Sequence, residues 1–167
     1  LVLRYAYPAL ALFMVLVGPG MVELARHDGV DVMFDAFPYT CGNTTISVVL
    51  PHWFLKHTPG AYRNPLMKLR LRMELEAGFR LVGLRYHDFE VMDAAVEGTD
   101  DLDGLRITEI AARWRKSPFD TLLKLCEMSN GGTLVLFHAY SGEPGREEVI
   151  EAVLSHERCL FETDAVI

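Results

Sequence analysis

What this chain has little of narrows it first. It holds only three cysteines, Cys41, Cys126 and Cys159, widely and irregularly spaced and with no CxxC pair. That excludes a disulfide framework or a structural zinc finger and leaves free thiols suited to a reducing, cytoplasmic setting. Basic residues are outnumbered 16 to 23, a net charge of −7. Such a surface attracts neither nucleic acid nor an anionic membrane, and the only basic run, Lys68, Arg70 and Arg72, is scattered. Long apolar runs are missing too. Ala9–Val17 has no polar residue, but nine or so residues rise only about 14 Å as helix, half the thickness of a bilayer core. No A-x-A-like cleavage site comes after it, as a signal peptide would require. There is no Walker A loop, GxGxxG, HExxH or GxSxG. Repeats, linkers and low-complexity tracts are also lacking.

What is present is a half-apolar chain of 167 residues, enough for one domain that buries roughly 70% of its unfolded surface and too apolar for intrinsic disorder. It opens on Leu1 rather than Met and ends on Ala165-Val166-Ile167, and so reads as a piece of something longer. Residues 1–20 are expected to form an apolar lead-in, a buried strand or short helix closed by Gly18-Pro19-Gly20. Met21–His27 reads as a short helix stopped at Gly29, and Val30–Tyr39 as a strand ended by Pro38. Thr40–Thr45 has loop chemistry, and Ile46–Leu50 is a short apolar segment. Helical spacing runs over Leu66–Leu75, and Phe79–His87 reads as a strand. Val96–Gly104 is an acidic loop. Ile107, Ile110, Ala111 and Trp114 fall at i, i+3, i+4 and i+7, one stripe of a helix. Ser117-Pro118-Phe119-Asp120 starts another, with Ser as N-cap and Pro at the first helical position. That helix turns Phe119, Leu122, Leu123 and Cys126 inward and stops near Asn130-Gly131-Gly132. Thr133–Ala139 reads as a buried strand, Arg146–Ser155 as a helix and Cys159–Asp164 as a last strand. Helix and strand alternate with short connections, which predicts an α/β fold with a parallel sheet.

In such folds ligands gather at the carboxyl ends of strands. Three predicted strands end in polar or aromatic groups: Asp35 to Thr40, His138 to Ser141, and Thr163-Asp164. A carboxylate at the end of the apolar run C-L-F-E-T-D is costly unless paired or metal-bound. Asp164 is therefore the leading candidate for a metal ligand or general base, against the plain reading of an exposed or helix-capping acid. His138 is a second candidate metal ligand, against the commoner role of a hydrogen-bonded strand-end histidine. His27, His52, His57, His87 and His156 read as solvent-exposed. Thr99–Gly104 hints at a calcium loop but has Ile110 where the bidentate Glu belongs.

At Asp35–Thr45 the pattern becomes specific. D-A-F-P-Y-T-C-G-N-T-T resembles the D-x-Y-P-Y-T-A-G-S-T segment of the N-acyl-D-amino-acid deacylases (D-aminoacylases) of the amidohydrolase superfamily. Upstream, V-E-L-A-R-H-D-G-V-D-V looks like that family's helix-Gly-strand lead-in. Downstream, L-R-I-T-E-I-A-A-R-W and S-P-F-D-T-L-L-K-L resemble its G-x-S-L-x-E-I-A and P-x-D-x-L-L helices, and L-S-H-E-R-C-L-F-E-T-D-A its H-P-x-x-x-x-G-S-D-G ending. The likeness runs from about Met21 to Asp164.

The resemblance implies a partial (β/α)8 TIM barrel, residues 21–167 being its C-terminal part, since a complete barrel takes about 250 residues. It implies a zinc-dependent hydrolase that cleaves the amide of a small-molecule N-acyl amino acid of D configuration. Asp164 then sits at the metal and moves the proton from water to the leaving amine, and Phe37, Tyr39 and Asn43 lie near the substrate. Phe37 stands where the family has Tyr, Asn43 where it has Ser, and T-D-A replaces S-D-G. The family's metal-binding His and Cys lie on earlier strands, N-terminal to anything matched. Asp164 and His138 by themselves fall short of the three protein ligands a catalytic zinc needs. The chain alone is thus expected to be inactive, with the N-terminal part of a barrel or further copies of itself as partners. The other readings are a non-catalytic remnant that binds or assembles, and a complete small α/β domain with an accidental likeness. An opened barrel also leaves unpaired strand edges that aggregate or find a complement.

Overall fold

A computed structural model describes residues 19–138 and 147–162. The chain divides into two compact units, one of residues 1–42 and 139–167 and one of Asn43–His138. No linker composition marks either boundary in the sequence.

In the first unit, residues 19–27 form helix α1, and Gly29, at φ 80°, ends the turn after it. Strand β1 (Phe34–Ala36) pairs in parallel with strand β5 (Cys159–Phe161), with Phe34 opposite Cys159 and Ala36 opposite Phe161. Helix α6 (Glu148–Leu154) leads into β5. Charge fastens the turn before β5 to α1 and to the segment after it. Arg26 pairs with both Glu23 and Glu157, and Arg158 with Asp31. The strand predicted over Val30–Tyr39 is only three residues long, because Pro38 lacks a donor and the chain turns away.

The second unit has a three-stranded sheet in the order β2 (Gly42–Thr45), β4 (Leu134–Phe137), β3 (Phe89–Asp93). Four α-helices accompany it: α2 (His52–Leu55), α3 (Pro65–Val82), α4 (Ile107–Trp114) and α5 (Pro118–Met128). Ile46, Phe54, Leu71, Phe89, Val91, Ile107, Ile110, Leu122, Leu125, Cys126 and Val135 are all fully buried in one core. Their removal from water is the main force that holds the unit together.

Local chemistry explains the helix ends. The Asn64 side chain accepts from the N–H groups of Leu66 and Met67, Pro65 opens α3, and Gly83 closes it in the left-handed region at φ 79°. Ser117 caps α5 by accepting from Asp120 N–H at 3.0 Å, as its sequence signature predicts. After α5 the backbone turns through Asn130 and Gly131, both at positive φ. A Cβ at Gly131 would come within 3.1 Å of the Ser47 side chain, so both conformation and space favour glycine there.

Three expectations are corrected. Phe79–His87, predicted as a strand, instead holds the last turn of α3, the Gly83 stop and a short 3-10 turn, and the strand begins only at Phe89. Phe79 continues the buried stripe Leu71–Leu75–Phe79 at spacing four, and that burial outweighs its strand propensity. Thr40–Thr45, read wholly as loop, contributes β2. The sheet of this unit is also not all-parallel, because β3 and β4 run antiparallel. One helix between two strands returns the chain parallel, whereas two joined by a tight turn return it reversed. Here α4 and α5, joined at Arg115 (φ 54°), stand between them.

Candidate functional site

The predicted site residues fall in three places. Phe37 and Tyr39 come after β1 in the first unit, their rings edge-on with centroids 5.0 Å apart, and Tyr39 is exposed. The β1–β5 register ends at Ala36 opposite Phe161, and Glu162 N–H donates to the Ala36 carbonyl at 3.1 Å. Both chain segments therefore leave the sheet at the same edge, one towards Phe37 and the other towards residue 163. Asp164 lies outside the described residues. Asn43 is exposed in β2, within the second unit.

His138 lies just past β4. Its backbone N–H donates to the Asp88 carbonyl at 2.9 Å, and its Nε2 is 2.9 Å from Glu90 Oε2. The register places Glu90 opposite Leu136, so His138 is the diagonal neighbour two residues on and shares its face. Arg106 approaches the same oxygen, Nε to Oε2 at 3.5 Å, and donates from Nη1 to the His87 carbonyl at 3.0 Å. Glu90 thus lies between an imidazole and a guanidinium, both partly shielded from water. A paired imidazole and carboxylate can pass a proton or fix a polar ligand. Sequence reasoning missed Glu90 and Arg106. The signal available was the alternation F-E-V, which turns one acid to the solvent face of an otherwise apolar strand.

Among the other histidines, His27, His52, His57 and His87 are exposed as expected. His156 is not: its side chain is only 17% exposed. It packs on the Phe34 ring at 5.4 Å, and its Nδ1 accepts from the Arg158 N–H. That contact leaves Nε2 carrying the proton, 3.3 Å from Glu23. The residue is a fastener between α1 and β5.

All three cysteines are free. Burial pushes the Cys126 thiol up to about 12, so it is an inert core group. Cys159 is also raised, by burial and then by the nearby Asp35 carboxylate.

A cleft of about 340 Å³ is lined by Lys68 of α3, by Arg115 and Lys116 of the α4–α5 turn, and by Asp120, Lys124 and Glu127 of α5, among others. Its charges are largely spent on each other. Lys68 pairs with Asp120 and Lys124 with Glu127, both at 3.2 Å. Asp120 is held below the usual carboxylate range first by the Ser117 hydroxyl and then by Lys68 and Arg72.

Among the described residues, no three His, Cys, Asp or Glu side chains are grouped so as to hold a metal ion. His138 has Glu90 as its acidic partner, and among the described residues no second histidine or cysteine joins them in such a group. Among the described residues, no helix is long and apolar enough to cross a membrane. Comparison with protein-family models, with curated proteins and with solved structures finds no match to this chain.

Proposed function

We propose that this chain is the C-terminal portion of a barrel of the metal-dependent amidohydrolase type, and that the complete enzyme hydrolyses the N-acyl amide of D-amino acids. The observation that supports this reading best is the β1–β5 pair. β1 runs into the first residues of Asp35–Thr45 and β5 lies within L-S-H-E-R-C-L-F-E-T-D-A, the two segments most like the D-aminoacylases. They lie side by side, parallel and in register, although about 125 residues separate them in sequence. Around them the described residues of the first unit run α1, β1, α6, β5, the alternation from which (β/α)8 barrels are built, with Asn43–His138 between β1 and α6 in sequence.

In this reading the metal ligands come mainly from strands N-terminal to the matched segments. This chain supplies the acid–base carboxylate and one wall of the substrate pocket. Amide hydrolysis needs a proton taken from water and given to the leaving amine, and Asp164 carries it. Phe37 and Tyr39 flank the acyl amino acid, with the exposed Tyr39 hydroxyl free to donate to its carboxylate.

The test is to express the chain with the coding sequence upstream of it, load it with zinc, and assay N-acetyl-D- against N-acetyl-L-amino acids. D-selective release of acetate is expected from the longer product and none from the 167-residue chain. Asp164→Asn should lower the rate by about 100-fold, the usual scale for losing a general acid–base group, with bound zinc unchanged. A longer product that folds and binds zinc but releases no acetate would leave the non-catalytic assembly reading in its place. Activity indifferent to Asp164→Asn would remove the residue from its role.

A further inference from the structure

Helix α3 has two apolar faces. Leu71, Leu75 and Phe79 form a ridge at spacing four that is buried in the core. Leu69, Met73, Ala77 and Leu81 form a second ridge at the same spacing. At 100° per residue it lies about 180° from the first. Leu69, Met73 and Leu81 are 56%, 59% and 81% exposed, and Leu66, at the head of the same stripe, is 76% exposed. A surface helix is ordinarily polar on the side away from the core. Here the outer side is apolar along most of its length.

Two ion pairs border the stripe. Arg70 and Glu74 run along one flank, Nε to Oε1 at 2.8 Å, and Arg72 and Glu76 along the other at the same distance. The first pair is held firmly: Trp53 Nε1 donates to Glu74 Oε2 at 2.7 Å, and the Arg70 guanidinium lies 4.1 Å over the Trp53 ring. Hydrogen bonds from Arg70 and then Trp53 keep the Glu74 carboxyl below its usual range. An apolar centre with an ordered charged rim is the anatomy of an interface.

The order of the charges says what the interface accepts. When two copies of a helix pair antiparallel about a two-fold axis, each flank meets the same flank of the other copy, running in reverse. Each flank of α3 carries an arginine and, four residues on, a glutamate, and the second flank continues to Lys68 at one end and Arg80 at the other. With the axis near Met73, Arg70 of one copy therefore faces Glu74 of the other and Arg72 faces Glu76, while the two Arg72 side chains and the two Glu74 side chains meet at the same offset. Each opposed pair is offset by only about 3 Å along the helix, at 1.5 Å rise per residue. Parallel pairing does the opposite, since it crosses the flanks and sets Arg70 beside Arg72 and Glu74 beside Glu76. Counting pairs at that offset, opposite charges outnumber like charges in the antiparallel orientation and the reverse holds in the parallel one, so the pattern favours antiparallel pairing. Matching ridges at spacing four also suit the commonest class of helix packing.

We propose that the outer face of α3 is a self-association surface that joins two copies of this chain antiparallel about a two-fold axis at Met73. The inference is independent of the deacylase reading, because it uses residues of the second unit alone. The buried face of a single helix is small, so the association is weak, with dissociation in the micromolar range or above.

Sedimentation of the full chain over a wide concentration range tests it. A reversible monomer–dimer equilibrium is expected, and Met73→Glu, which sets like charges together on the axis, should weaken it at least tenfold. Two charge variants decide the orientation. R70E/R72E leaves only glutamates at these four positions and E74R/E76R leaves only arginines. Each should be monomeric alone, and the two should associate when mixed. Because every altered side chain is on the surface, far-ultraviolet circular dichroism should confirm that the variants are folded. A wild-type chain that stays monomeric at all concentrations would overturn the proposal. So would a dimer indifferent to Met73→Glu, or charge variants that fail to pair on mixing. If another segment of the same protein covers this face, the wild type stays monomeric, and that too overturns it.

Discussion

Phe89→Ala is expected to remove about 3–5 kcal/mol from the stability of the second unit, the range for truncating a fully buried aromatic ring. Phe89 has no exposed surface and sits at the centre of a stack of rings. Phe137, directly opposite it in the β3–β4 register, lies 4.7 Å away between centroids at 27°, and Phe79 of α3 lies 5.6 Å away at 26°. The ring therefore ties the sheet to the long helix, and alanine would leave a cavity that a backbone ladder on one side cannot close. Small domains are stable by about 5–15 kcal/mol in total, so the change should move a urea midpoint far to lower concentration or abolish folding. Both tryptophans, Trp53 and Trp114, lie in this unit, and their fluorescence reports its unfolding specifically. Phe89→Leu, which fills most of the space, should cost less than half as much. A loss below about 1 kcal/mol for Phe89→Ala, on the same scale of core truncations, would mean that the stack is not where the unit's stability resides.

What could be read from the sequence was what local chemistry determines. The start of α5 was visible because Ser117, Pro118 and Asp120 occupy cap positions whatever else the chain does. Ile107, Ile110 and Ala111 announced α4 by their spacing, and all three are buried. The β4 run T-L-V-L-F was apolar enough to read as a strand. Long-range decisions stayed hidden. Phe79 suits a strand or a helix equally until Leu71 and Leu75 are known to share its face. The reversal of β4 against β3 depends on counting α4 and α5 as two helices. The division into two units depends on β1 pairing with β5 across the whole of the second unit. The site was legible in the same uneven way. His138 stood out as a lone histidine at a strand end, but Glu90 and Arg106 become its companions only through register. Phe37 and Tyr39 are adjacent by sequence and remain so in space, while Asn43 belongs to the other unit.

Raising the pH above 9 should unfold the second unit progressively, with little change between pH 7 and 8.5. Three of its groups have been pushed up to about 12: Cys126, Tyr62 and Tyr86. Burial is the largest cause in each case. For the tyrosines, nearby acidic groups add to it, the Cys126 thiol once ionised and the Glu127 carboxylate at Tyr62, and chiefly Glu76 at Tyr86. The ordinary values are 9.0 for the thiol and 10.0 for the phenols. Each group is thus neutral in the fold at a pH where the unfolded chain has already ionised it. The unfolded state then binds fewer protons, so the stability of the fold falls as pH rises. The stabilisation is complete below pH 9 and is lost between about 9 and 12. A fully buried group contributes a slope of up to about 1.4 kcal/mol per pH unit. Cys126 approaches that, whereas the two tyrosines, partly reached by solvent, give less. Urea midpoints from tryptophan fluorescence at pH 8, 9, 10 and 11 should fall in that order. Cys126→Ala should flatten the decline above pH 9, at a small cost at neutral pH. Tyr86→Phe should flatten it as well and leave the neutral-pH stability unchanged or raised. The Tyr86 hydroxyl is buried without a hydrogen-bond partner among the described residues, and removing an unsatisfied buried polar atom relieves a desolvation cost. A decline just as steep in the Cys126→Ala/Tyr86→Phe double variant as in the wild type would show that the alkaline limit is set elsewhere, by lysine–carboxylate pairs such as Lys68–Asp120 and Lys124–Glu127 or by net charge.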